Sequence, residues 1–259
     1  QDSLSPLHET LEAQALGLPT QDGLLPWAAL QARQMDLPSA SNEAWAWLTP
    51  CHWQVNADHV RMAAPADSEI TNEESATLME TMRVYFAEDG ITLHGLHDGN
   101  WLASGDVFRD LPTASLARAS GGSVDHWLAR SAQAAPLRRL QNEMQMLTYS
   151  HPVNDARTAR HLLPVNSFWI SGTGSLPPGY AAPASIQIQH DLQVATAQDD
   201  AQAWLGAWQA LDEQAIRPML ERAKNGEAVS LTLCGEQAAQ PFTLQPRGFL
   251  SRLTGHFAK

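Results

Sequence analysis

Between Thr71 and Ser104 the chain changes its apolar period within a few residues, and that change restricts the fold more than any other feature. TNEESATLMETMRVYF opens with Thr71 and Glu74 at the spacing of a capping box, in which each side chain satisfies the other's backbone amide. Leu78, Met82, Tyr85 and Phe86 then recur on one face, and Gly90 is placed to end the helix in a left-handed conformation. ITLHGLHDGNWLAS follows with Asp98-Gly99 as a tight turn, which reads as a hairpin. Upstream, WLTPCHWQV and HVRMA flank Asn56-Ala57-Asp58 and read as two further strands joined by a turn. The order strand, strand, helix, strand, strand predicts an α/β protein of the mixed α+β kind, a sheet with helices packed on it.

The rest of the chain is organised around that block. Residues 1–44 hold short helical patches broken by Pro6, Pro19, Pro26 and Pro38, and read as a helical or irregular lead-in. Ser120 to Ser123 is a loop, and Leu137, Leu140, Met144 and Leu147 mark a second amphipathic helix ending near Ser150. Val165, Phe168 and Ile170 predict a short strand running into Gly172-Thr173-Gly174, GTGSLPPG at 172–179 reads as a turn, and IQIQ at 186–189 predicts another strand. GSLPPGYAAPAS, residues 174–185, is the best linker, with a boundary near 178. Beyond it Trp204, Trp208 and Leu211 define a helix running to Lys224, which Pro218 kinks or restarts. The two tryptophans are expected to pack internally, the alternative being an exposed pair that anchors a partner. SLTLCG and PFTLQ close with a hairpin, and Phe249, Leu253 and Phe257 predict a final amphipathic helix. The expected divisions are a lead-in at 1–44, an α/β domain at 45–177, and a segment at 178–259 packing on the same core.

Composition narrows the function. With 259 residues and 44% hydrophobic content the chain can bury a full core. A formal charge of −12 repels a phosphate backbone, and no basic run offsets it, so direct nucleic-acid binding is not expected. No apolar run approaches the roughly 20 residues needed to span a bilayer, so no membrane role is expected. Cys51 and Cys234 lie far apart in a chain that needs no staple, which predicts reduced thiols and a cytoplasmic location.

The most distinctive stretch is HPVNDARTARHLLPVNSFWISGTG, residues 151–174. With the HWQVNADHVRMAAP, EITNEESATL and ITLHGLHDGNWLAS segments before it, it resembles the insert domain of archaeal-type, cofactor-independent phosphoglycerate mutases, which belong to the alkaline phosphatase superfamily. The similarity covers about residues 52–176, and it is closer still to a proteobacterial family predicted to be mutase-related. The resemblance implies an insert-domain fold. In such mutases two metals held by Asp and His activate a phosphoryl-carrying serine. Neither an N-terminal Asp-Gly metal motif nor a nucleophile-bearing segment is found in this sequence. The expectation is therefore a mutase-like protein with no catalytic residues, metal site or cofactor. It would act as a binding or regulatory domain for a protein partner or a small anionic metabolite; the alternative is a residual enzyme acting on a phosphorylated small molecule.

Within the motif, His151, Asn154, Arg157 and Asn166 are the candidate ligand-binding residues, with Arg157 and Arg160 suited to forked recognition of an anion. The same residue types also serve as caps and turn clamps. His94, His97 and Asp98, with His52 and His59 on neighbouring strands, have zinc-ligand chemistry but weak spacing. Cys51 beside His52 is no nucleophile pair, because neighbours on a strand point to opposite faces.

Overall fold

The computed structural model describes residues 2–38, 40, 42–56, 58–64, 68–183, 186–197, 200–235 and 238–244. They divide into two compact units, Gln1–Pro183 and Ala184–Lys259. The division falls inside the Pro-, Gly- and Ala-rich stretch, and the 1–44 segment belongs to the first unit.

The first unit is built on an antiparallel sheet in the order β4-β5-β1-β6, formed by β1 (Trp45–Cys51), β4 (Thr92–Gly95), β5 (Trp101–Ser104) and β6 (Ser167–Gly174). Both of its faces are covered, so its strands read as continuous apolar runs rather than as clean alternation. Trp45 and Leu102 point to one side, beneath α1 (Leu7–Ala15) and α2 (Trp27–Gln34), where Ala13, Trp27, Ala28, Ala29 and Ala32 complete the layer. Ala46, Leu48, Trp101, Ala103, Phe168 and Ile170 point to the other. There they meet α3 (Asn72–Glu88) and α5 (Ala135–Thr148), which bury Leu78, Met82 and Phe86, and Leu137, Leu140 and Met144.

The capping box of α3 is formed as the sequence predicts, with Thr71 and Glu74 each accepting from the other's backbone amide. Gly90 ends the helix at φ +70°. The following hairpin turns at Asp98-Gly99, and Ser75 ties helix to hairpin by donating to the Gly99 carbonyl at 2.6 Å while accepting from the Trp101 indole at 2.8 Å. A second hairpin, β2 (Trp53–Val55) and β3 (Val60–Met62), leaves the end of β1. The short α4 (Leu116–Ala119) and the 120–128 loop pack with it around Cys51, Met62, Val124 and Trp169.

β6 runs through Gly172-Thr173-Gly174 to its end, as the sequence predicts, and a turn follows at Pro178-Gly179; the pairing with β1 slips between Trp45 and Trp47 as a β-bulge, and the strand expected at IQIQ is the one that needs correction. Gly172 takes φ +63°, and a Cβ there would lie 2.9 Å from Trp47 and 3.3 Å from the Ala28 nitrogen, so glycine lets α2 approach the sheet. IQIQ forms no strand; residues 186–190 lead irregularly into α7 (Asp191–Ala197). Its alternation is real, but no neighbouring strand supplies a ladder among the described residues.

The second unit continues with α8 (Ala201–Leu211), a π-helical turn at Asp212–Ile216, and α9 (Arg217–Lys224). The widened turn ends two residues before Pro218, whose missing amide cannot join a regular ladder. β7 (Val229–Cys234) and β8 (Ala239–Leu244) form the expected closing hairpin. Trp204 does not pack internally as expected: it is 44% exposed and touches the half-buried Trp208 edge-to-face at 5.9 Å, on a helix with no fully buried residue. The C-terminal helix expected at Phe249, Leu253 and Phe257 lies outside the described residues. Among the described residues no helix is long and apolar enough to cross a membrane.

Candidate functional site

The 151–174 segment begins where α5 ends. His151 is the N-cap of α6 (Pro152–Ala159), with Pro152 opening the helix, a position where its absent amide costs nothing. The His151 Nδ1 accepts from the Val153 amide at 3.2 Å, so this nitrogen carries no proton. Its Nε2 lies 3.1 Å from Thr81 Oγ1, whose own hydrogen goes to the Thr77 carbonyl at 3.0 Å. The imidazole is thereby fixed as the Nε2–H tautomer and bridges α6 to α3.

Asn154 is buried and fully engaged. Its Nδ2 donates to the carbonyls of Thr148 at 2.9 Å and Val165 at 2.8 Å, and its Oδ1 accepts from the Val165 amide at 2.8 Å. One amide group thus joins the end of α5 to the approach of β6.

Arg157 is wholly buried. Its Nε donates to the Leu163 carbonyl at 2.8 Å, and its two terminal nitrogens reach the Glu74 carboxylate at 2.6 Å and the Ser68 carbonyl. The chain bends back at His161, φ +60°, to bring Leu163 into range. Arg160, half exposed, holds the other oxygen of Glu74. Burial alone would push the Glu74 carboxyl up. The Thr71 amide and the guanidinia of Arg160 and Arg157 outweigh it and hold the group below the ordinary carboxylate value.

Asn166 acts one strand away. Its Oδ1 accepts from the Trp53 amide at 2.7 Å and its Nδ2 donates to the Trp53 carbonyl at 2.9 Å, so the side chain copies a peptide group and extends the β1–β6 pairing past Cys51. The structure therefore brings Arg157 and Arg160 together on Glu74, while His151, Asn154 and Asn166 each clamp a different part of the backbone. The four candidate residues do not converge on an open pocket.

Glu74, Ser68 and Thr81 complete this network, and the sequence pointed to only the helix-capping half of Glu74's role. The missing signal was the partner: Glu74 and Arg157 are 83 residues apart. A long-range pair of this kind leaves no local pattern.

The histidine cluster does not assemble. His94 lies against the Trp45 ring at a centroid distance of 5.5 Å, and burial together with nearby Arg83 pushes its imidazole down. Asp98 holds its own turn by accepting from the Asn100 amide at 3.1 Å, and His52 Nδ1 donates to the Pro164 carbonyl at 2.8 Å. Among the described residues no group of three or more His, Cys, Asp or Glu side chains could hold a metal. Burial pushes the Cys51 thiol far up, away from nucleophilic thiolate chemistry.

Cavities are small. The one lined by Trp127, Leu128, Leu137, Gln141 and Trp169 has about 20 Å³ of free space, roughly enough for a single water. A depression on α3 beside His151 is lined by Ala76, Thr77, Glu80 and Thr81, and both threonine hydroxyls already donate to helix carbonyls. No protein-family model, no curated protein and no solved structure matches the chain.

Proposed function

We propose that this chain is a phosphoglycerate mutase-like protein without the two-metal chemistry, a noncatalytic binding or regulatory domain whose ligand is a protein partner rather than a small anionic metabolite. One observation carries the reading. The guanidinium best suited to an anion, Arg157, is closed off from solvent and held by Glu74 and two backbone carbonyls. An arriving phosphate would have to displace a carboxylate and open the core. A protein surface needs neither a deep cavity nor unoccupied buried donors to be recognised.

The test is the thermal stability of the purified chain with phosphoglycerates at millimolar concentration, paired with an interconversion assay in added manganese, magnesium or zinc. The expected results are an unmoved Tm and no turnover above the metal-free control. Ligand at 100 times its Kd would stabilise the fold by about 2.7 kcal/mol and raise Tm by several degrees. Such a shift, or metal-dependent turnover, would replace this reading with that of an enzyme acting on a phosphorylated small molecule.

A further inference from the structure

α8 has no charged residue, and none of its 11 residues is fully buried. From Ala201 to Gly206 every position is exposed, so the first half of the helix meets solvent all the way round. Trp204, Leu205 and Trp208 share one face by their spacing. Trp204 is 44% and Leu205 54% exposed; Trp208 is half-buried, and among the described residues its indole N–H has no hydrogen-bond partner. α7, which packs against α8, leaves Val194 exposed as well. A helix that is apolar on all sides is stable where protein covers it, and one facing water carries charge; α8 has neither cover nor charge.

The surrounding charge decides what kind of surface can cover it. From His161 to Ile216 the sequence has no lysine or arginine. Carboxylates bracket α8 instead: Asp200 caps its N-terminus, Asp212 and Glu213 follow its last residue, and Asp191 opens α7. The basic residues that come next are already engaged, Arg217 with Asp212 at 2.9 Å, Arg222 with Glu227 at 2.7 Å and Lys224 with Glu221 at 2.7 Å. Anionic lipid and nucleic acid are repelled by such a border. A second copy would set the same carboxylates against these, in two chains that each carry −12. A basic surface is attracted. Its form follows from α8 itself. Backbone groups inside a helix are spent on that helix, so an extended strand would find no ladder there, whereas the side-chain ridges of a second amphipathic helix can seat between those of the first.

We propose that α8 is a docking face for a basic amphipathic helix of a partner protein, anchored by Trp204 and Leu205, which rests on the partner-binding reading above and gives it a surface. The experiment is fluorescence anisotropy of a labelled Leu–Lys amphipathic peptide of about 18 residues, long enough to cross α8, titrated with the full chain. A Leu–Glu peptide of the same apolar pattern runs beside it. The Leu–Lys peptide is expected to bind with a Kd of about 1–10 µM, and the Leu–Glu peptide not to bind. Trp204→Gln combined with Leu205→Gln should weaken binding at least about tenfold. Asp191→Asn combined with Glu213→Gln should weaken it about threefold and flatten its salt dependence. Val84→Gln with Met146→Gln removes exposed apolar side chains of the first unit and should leave it unchanged. Equal binding by the Trp204 and Leu205 variant, or an equal loss in the Val84 and Met146 variant, would show unspecific attraction to an acidic chain and overturn the proposal. Binding that appears only after Phe249→Asp and Leu253→Asp would assign the face to this chain's own basic stretch at 245–259, and a dimer in sedimentation velocity that Trp204→Gln abolishes would assign it to a second copy; either overturns it. A Leu–Lys peptide that does not bind removes this face alone, because the phosphoglycerate assay reads the Arg157 motif separately.

Discussion

The two units treat their large apolar side chains in opposite ways. In the first, Trp45, Trp101, Phe86, Phe108 and Phe168 are fully buried, and even an arginine is drawn inside. In the second, the described residues bury only Ala195 and Ala223, while Trp204, Leu205, Leu220 and Phe242 are each at least 44% exposed. Both stretches carry the periodic apolar patterns from which helices and strands are read. The difference teaches that period fixes an element and its face, whereas what that face meets depends on the layers around it. The first unit places helices on both sides of its sheet. The second has a two-stranded hairpin with nothing comparable between its layers among the described residues.

The sharpest way to break this comparison is at Arg157. Arg157→Ala leaves Glu74 inside without its buried partner and strips the Leu163 and Ser68 carbonyls of their donor. Removing one member of a buried ion pair costs about 3–5 kcal/mol, enough to unfold many domains, and urea denaturation would measure it. Arg157→Lys should recover only part of the loss, because an ammonium cannot span three acceptors set in a fork. A variant as stable as the wild type would mean that the network is decoration and that the motif was kept for something else. Asn154→Ala should follow at roughly 2–3 kcal/mol, since it leaves two carbonyls and one amide without partners in the core.

These two residues also mark how far the sequence could be read. The capping box, the Gly90 stop, the Asp98-Gly99 hairpin and the helix at Leu137 to Leu147 were legible because each is decided within a few residues. The segment from His151 to Asn166 was legible as a special stretch, and its polar residues as capping or anion-binding types. Which of these uses applies depends on Glu74, Ser68 and Trp53, all far away in sequence. The bulge at Gly172 was hidden for the same reason, because only the approach of Ala28 and Trp47 explains it.

A gentler probe is pH, where two carboxylates in the first unit should act with opposite sign. Glu74 is held below its ordinary value, so its network contributes stability that is present above the unfolded-state value of 4.5 and is lost as pH falls through the depressed one. Glu9 is raised: burial pushes it up, beyond what its hydrogen bond from Ser115 can lower. Its contribution is present below 4.5 and lost as pH rises through the raised value. Glu74→Gln should therefore flatten the acid limb of the stability profile, whereas Glu9→Gln should stabilise the chain at neutral pH. Denaturation midpoints followed from pH 7 into the acid range by the loss of structure of the first unit would show both, and acid limbs unchanged in Glu74→Gln would remove the charge argument for the clamp.

The smallest effect is expected at the residue whose size promises the largest. Burying a tryptophan normally makes it one of the most sensitive positions in a fold, and truncation in a core costs about 3–5 kcal/mol. Trp204 contacts Trp208 at 5.9 Å but keeps 44% of its surface in solvent, on a helix that buries none of its residues. Trp204→Gln keeps helix propensity and removes the ring, so stability should change by no more than about 0.5–1.5 kcal/mol, the worth of an exposed aromatic pair. Trp101→Gln, at a fully buried position that also loses an indole bond to Ser75, supplies the contrast within the same chain. If the two variants lost stability equally, the second unit would have a core as closely packed as the first, and the difference between them would vanish.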